Sequence, residues 1–102
     1  MTPDESTRAI EAVVSGDVQG VGFRWFVLRQ AAALDVSGWV ANEQDGTVRI
    51  VAEGPSEEIG LLLAALHEGP PGADVERVSV VERAATGGFD GFSARSGWVS
   101  GD

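Results

Sequence analysis

Residues Val13–Arg24 read VVSGDVQGVGFR: an apolar run, a turn punctuated by Gly16, Gly20 and Gly22, and the first residues of a helical pattern. Such a turn from strand to helix can aim several backbone N–H groups into one concavity, which suits an anion. The helix N-terminus adds its own unpaired N–H groups and roughly +0.5 of dipole charge at the same place. Arg24 falls in the first helical turn, where the dipole opposes a cation by about 0.3–1 kcal/mol. A negative group between loop and guanidinium would account for an arginine there, so the stretch reads as a small phosphate-type site.

Upstream, Arg8 to Ser15 alternates loosely, with Ile10, Ala12 and Val14 on one face of a strand. Downstream, Phe23, Phe26, Val27, Gln30, Ala31 and Leu34 recur near helical spacing, giving a helix from Gly22 to Leu34. Val36 to Asn42 reads as a second strand, with Val36, Gly38, Val40 and Asn42 on one face and Trp39 on the other. Asp45-Gly46 supplies a hairpin turn, and Thr47 to Glu53 returns as a strand with Val48, Ile50 and Ala52 inward and Arg49 and Glu53 outward. A second helix starts at Gly54-Pro55-Ser56-Glu57-Glu58, buries Ile59, Leu62, Leu63 and Leu66, and stops at Gly69-Pro70-Pro71. Asp74 to Arg83 alternates as a strand, Thr86-Gly87-Gly88 turns, and Phe89 to Arg95 forms a short last strand anchored by Phe92 and Phe89.

The order strand, helix, strand, strand, helix, strand predicts an α+β ferredoxin-like βαββαβ sandwich: an antiparallel sheet with two helices on one face and a short fifth strand. One domain is expected over residues 8–96, flanked by a polar N-terminal tail (1–7) and a short C-terminal tail (97–102) that carries Trp98. That fold hosts many unrelated tasks, so function has to be read from the site.

Composition narrows the options. The chain has 102 residues, no cysteine and one histidine, His67, which excludes a thiolate nucleophile and a cysteine- or histidine-cluster metal site. No metal and no cofactor are expected, and His67 reads as a surface residue near the end of the second helix. No apolar run approaches the length of a membrane span, and no charged-then-apolar leader opens the chain, so the expectation is a cytoplasmic monomer. Sixteen acidic residues against seven basic ones give a net charge of −9, which argues against a nucleic-acid surface. An RNA-binding domain on this fold would also need stacking aromatics and a basic face.

Two stretches are similar to the acylphosphatase family. Gly16 to Arg24 resembles its Gly-x-Val-Gln-Gly-Val-x-Phe-Arg phosphate loop. Gly38-Trp39-Val40-Ala41-Asn42, with Gly46, Val48 and Gly54 following at the family's spacing, resembles its second motif. The Gly69-Pro70 helix stop and the Phe92-Ser93-Ala94-Arg95 strand are similar as well, so the likeness runs from Arg8 to Arg95. It implies metal-independent hydrolysis of acyl phosphates, small-molecule mixed anhydrides of a carboxylate and phosphate. Arg24 and Asn42 would then be the catalytic residues, with Arg24 on the phosphoryl oxygens and Asn42 on the attacking water. Gly16, Asp17, Val18, Gln19, Gly20 and Val21 would bind the phosphate alongside Arg24. Asp17 stands where many members carry a basic residue, and a carboxylate there weakens the pull on an anion. On spacing alone Asn42 reads more readily as a turn residue than as a functional one, and only the second motif reverses this; Gln19 reads also as a brace for the loop. The same residues also suit a non-catalytic phosphate or acyl-phosphate binding module. A site that reads the phosphate more than the acyl group predicts broad acyl tolerance.

Overall fold

The computed structural model describes residues 7–95. Five strands and two helices follow in the order β1 (Thr7–Asp17), α1 (Phe23–Ala32), β2 (Ser37–Asn42), β3 (Val48–Pro55), α2 (Ser56–Glu68), β4 (Asp74–Arg83) and β5 (Phe92–Arg95). The sheet order is β4-β1-β3-β2-β5. The first four strands pair antiparallel, as expected, and β5 runs parallel to β2, with Phe92 opposite Gly38 and Arg95 opposite Ala41. The two terminal tails, and Trp98 with them, lie outside the described residues, except that Thr7 already starts β1.

Period-2 alternation sends one face of each central strand toward the helices. Ile10, Ala12 and Val14 of β1, Val48, Ile50 and Ala52 of β3, and Val40 of β2 form one side of the core. Phe23 and Val27 of α1 and Ile59, Leu62 and Leu66 of α2 close it from above. Each such side chain, fully withdrawn from water, contributes about 1.5–3 kcal/mol before the entropy of ordering it is subtracted. Helix α1 ends two residues short of the expected Leu34. Ala33 N–H donates to the Gln30 carbonyl and Leu34 N–H to the Ala31 carbonyl, at 3.1 Å each, so i→i−3 bonds tighten the last turn.

Three departures from simple alternation have physical causes. In β4 both Val75 and Val78 pack against the core. Ser15 lies opposite Arg77 and Gly16 opposite Val75, so Glu76 is the extra residue of a β-bulge that shifts the alternation by one. The last strand begins at Phe92 rather than Phe89, because residues 84–91 must carry the chain from the β4 edge to the far edge beside β2. Four strand spacings amount to about 19 Å, most of what an eight-residue irregular segment can span. The same crossing covers Glu53, which points outward as expected. The side chain does face away from the helices, yet it is only 6% exposed, because the connector lies against it. Thr86 N–H and Oγ1–H donate to Glu53 Oε2 at 3.0 and 2.9 Å, and Gly87 N–H donates to Oε1 at 2.9 Å. Burial pushes this carboxyl up, but those donors and the nearby Arg83 charge outweigh it and hold the group below its ordinary value.

Candidate active site

Residues 18–22 form the turn between β1 and α1. Gly20 and Gly22 hold φ of +77° and +80°, and a Cβ at either would meet nothing within 4 Å; these glycines are required by backbone direction, not by space. Gly22 is also the N-cap of α1, and no side chain caps that helix or brings an acid to its first turn. The first-turn N–H groups therefore keep their capacity for an outside acceptor.

Val18 anchors the turn from below with a fully buried side chain. Gln19 anchors it from the side: its Nε2 donates to the carbonyl of Glu43 at 2.7 Å and to that of Thr47 at 2.9 Å. Both acceptors flank the β2–β3 hairpin, so one amide group fastens the glycine turn to the hairpin that follows Asn42. Thr47 is steadied in turn by Asp45, whose carboxylate accepts from Thr47 N–H and Oγ1–H at 3.0 and 2.7 Å. These bonds hold the exposed Asp45 carboxyl below its ordinary value.

A cleft of about 320 Å³ opens above this junction. It is lined by Val18, Gly20, Gly22 and Phe23 together with Arg24, Trp25 and Asn42. Arg24 is the second residue of α1, and its Nη1 donates to the Arg95 carbonyl of β5 at 3.2 Å. Asn42 ends β2 on the helix-facing side of the sheet and is 7% exposed. The two residues singled out in the two sequence motifs thus line one cleft, although they lie on different elements and 18 positions apart.

The other residues expected to bind phosphate stand at different distances from the cleft. Gly16 and Asp17 belong to β1, where they pair with Val75 and Asp74 of β4, and neither lines the cleft. Gly16 is needed there for close approach: a Cβ would sit 2.1 Å from the Asp74 carbonyl oxygen. Val21 packs its side chain against the core and Gln19 braces the turn with its own, so what these two residues have to offer an anion is their backbone N–H groups. The remaining charge is mostly engaged elsewhere. Arg8 pairs with Glu82 at 2.6 Å, Arg49 and Arg83 both pair with Glu11, and Arg95 lies 4.5 Å over the Trp39 ring on the opposite face of the sheet. Trp39 is therefore a support for Arg95 and no wall of the cleft. Arg24 alone among the described arginines lines the cleft, and no described carboxylate or imidazole does. His67 is exposed in the last turn of α2. Among the described residues no three His, Asp or Glu side chains group as metal ligands, and no helix is long and apolar enough to cross a membrane.

Sequence reasoning missed Glu53, whose burial depends on a segment more than thirty residues away. Its only local signal was a lone acid in a β-branched strand.

Comparison with known proteins accounts for nearly the whole described chain. The acylphosphatase family model matches residues 10–94. An acylphosphatase of Salinibacter ruber is 50% identical over 88 residues, covering 86% of this chain and 93% of the relative. Among solved structures, an acylphosphatase from Coxiella burnetii superposes with a TM-score of 0.85 at 40% identity, covering 93% of this chain and all of the other. The crystal structure of acylphosphatase from Bacillus subtilis superposes with a TM-score of 0.83 at 39% identity, covering 86% and 98%.

Proposed function

The chain belongs to the acylphosphatase family, and from that premise we propose that it hydrolyses acyl phosphates in the cleft between α1 and β2, with Arg24 and Asn42 as catalytic residues. The observation that carries the assignment is their convergence, on one cleft, with a glycine turn and an uncapped helix N-terminus.

Arginine's planar fork matches two phosphoryl oxygens and keeps its charge at any ordinary pH. The remaining phosphoryl oxygen takes backbone N–H groups of residues 18–22 and the first turn of α1. Asn42 accepts a hydrogen bond from the water through its carbonyl oxygen and so orients the water's lone pair toward phosphorus, without taking a proton. In the displacement, the water oxygen forms the new P–O bond while the bond from phosphorus to the acyl oxygen breaks, and the carboxylate leaves with that electron pair. One water proton passes to a phosphoryl oxygen, since no described side chain lining the cleft is a base at neutral pH. A carboxylate leaves readily, so positioning and charge stabilisation supply most of what the reaction needs.

The test is phosphate release from benzoyl phosphate with a chelator present. Arg24→Ala is expected to lower kcat/KM by at least about 10²–10³, the usual cost of one preorganised oxyanion donor. Arg24→Lys should also lose heavily, because the fork is gone. Asn42→Ala should lower kcat while inorganic phosphate still binds. Undiminished turnover in Arg24→Ala would overturn the assignment. Phosphate binding without turnover in the wild type would favour a non-catalytic module.

A further inference from the structure

Trp25 follows Arg24 directly and is 65% exposed, more than any other large hydrophobic side chain among the described residues. Helix periodicity explains why the core does not take it. Phe23, Val27 and Ala31 form the buried stripe, and a position two residues after Phe23 points away from it. Phe23 pairs edge-on with Phe26 at 5.9 Å and Trp39 carries Arg95, whereas Trp25 has no ring or hydrogen-bond partner within the described chain. It does line the cleft that holds Arg24 and Asn42.

We propose that Trp25 is an acyl-group platform that makes the site prefer acyl phosphates with an aromatic or bulky apolar acyl group over small ones. The inference rests on the hydrolytic reading of the cleft. An acyl group is tied to phosphorus through a single bridging oxygen, so it must lie beside the phosphoryl group that Arg24 holds. In-line displacement keeps that leaving group away from the water at Asn42. Of the apolar lining that remains, Val18 is fully covered and Phe23 is 2% exposed, so neither has area to offer. Trp25 alone has a large free ring surface at the rim, and burying it against an acyl chain removes apolar area from water on both partners. This narrows the broad acyl tolerance expected from the sequence to tolerance with a graded preference.

The test compares benzoyl phosphate with acetyl phosphate on wild type, Trp25→Ala and Trp25→Phe. The discrimination, (kcat/KM) for benzoyl over acetyl phosphate, should fall about 3- to 10-fold in Trp25→Ala, the scale of one aromatic pair. Most of the change should lie in KM for benzoyl phosphate, and Trp25→Phe should recover most of it. An unchanged discrimination ratio in Trp25→Ala would overturn the proposal. A second readout does not need turnover. By calorimetry, phenylphosphonate should bind the wild type more tightly than inorganic phosphate, and Trp25→Ala should lose that advantage. If the wild type bound the two ligands equally, the platform would be refuted even with hydrolysis intact. If the advantage appeared without hydrolysis, the platform would stand and only the catalytic assignment would fail.

Discussion

Glu53→Ala is the most informative perturbation outside the cleft. The carboxylate is 6% exposed and accepts three hydrogen bonds, from Thr86 N–H, Thr86 Oγ1–H and Gly87 N–H, at 2.9–3.0 Å. A hydrogen bond to a charged group is worth about 1.5–3 kcal/mol. The three do not add in full, because Thr86 and Gly87 are exposed and their donors find water once released. A loss of about 2–4 kcal/mol results, a large share of the 5–15 kcal/mol typical of a domain. At about 4–8 °C per kcal/mol for a domain near this size, Tm should fall by at least about 8 °C. Glu53→Gln should lose nearly as much, since its amide NH₂ would face a donor. The pH dependence has a definite sign. The folded carboxyl lies below its ordinary value of 4.5, so its contribution is complete above that value and disappears as pH falls through the folded pKa. Urea unfolding of wild type and both variants from pH 7 to pH 3 checks this. The gap in stability should be widest at neutral pH and close in acid. A gap under about 0.5 kcal/mol at pH 7, or one that widens in acid, would refute the reasoning.

Gln19→Leu removes both donors that fasten the glycine turn to the hairpin. It should lower kcat/KM on benzoyl phosphate about tenfold or more while the far-UV circular dichroism stays native. Gly16→Ala forces a Cβ to 2.1 Å from the Asp74 carbonyl oxygen at a φ of +126°. It should destabilise the fold by at least about 2 kcal/mol in urea melts, through the combined clash and strained backbone.

Local signals carried most of the fold. Val48, Ile50 and Ala52 of β3 and Ile59, Leu62 and Leu66 of α2 are buried as their spacing predicts, because each pattern is set by its own element. The glycine turn and Asn42 were legible for the same reason: positive φ and a hairpin end are encoded within a few residues. What stayed hidden depends on which strands are neighbours. Glu76 is set aside as a bulge only because Gly16 meets Val75. The parallel pairing of β5 with β2 follows from a crossing by residues 84–91 whose destination no local residue announces. Glu53 reads as an outward acid by alternation and is covered because that crossing passes over it. Asp17 reads as a loop residue from its glycine neighbours, yet belongs to β1 because β4 is long enough to pair with it.

The position of Asp17 matters for how a chain of net charge −9 can hold an anion at all. Screening reduces interactions between exposed charges beyond about 8 Å at physiological ionic strength, so the acids scattered over the surface affect the approach of an anion more than its bound state. Within the cleft the balance is local: Arg24 lines it and no described carboxylate does, Asp17 included. Arg24 is itself tethered through Nη1 to the carbonyl of Arg95. Arg95 in turn lies over Trp39 on the far face of the sheet. The guanidinium is thus fixed by β5, the turn by Gln19 to the β2–β3 hairpin, and Asn42 by the end of β2. On the proposed reading, affinity for the phosphoryl group depends on three elements keeping Arg24, Asn42 and the turn together at one cleft, which is why contacts well outside the cleft are expected to register in turnover.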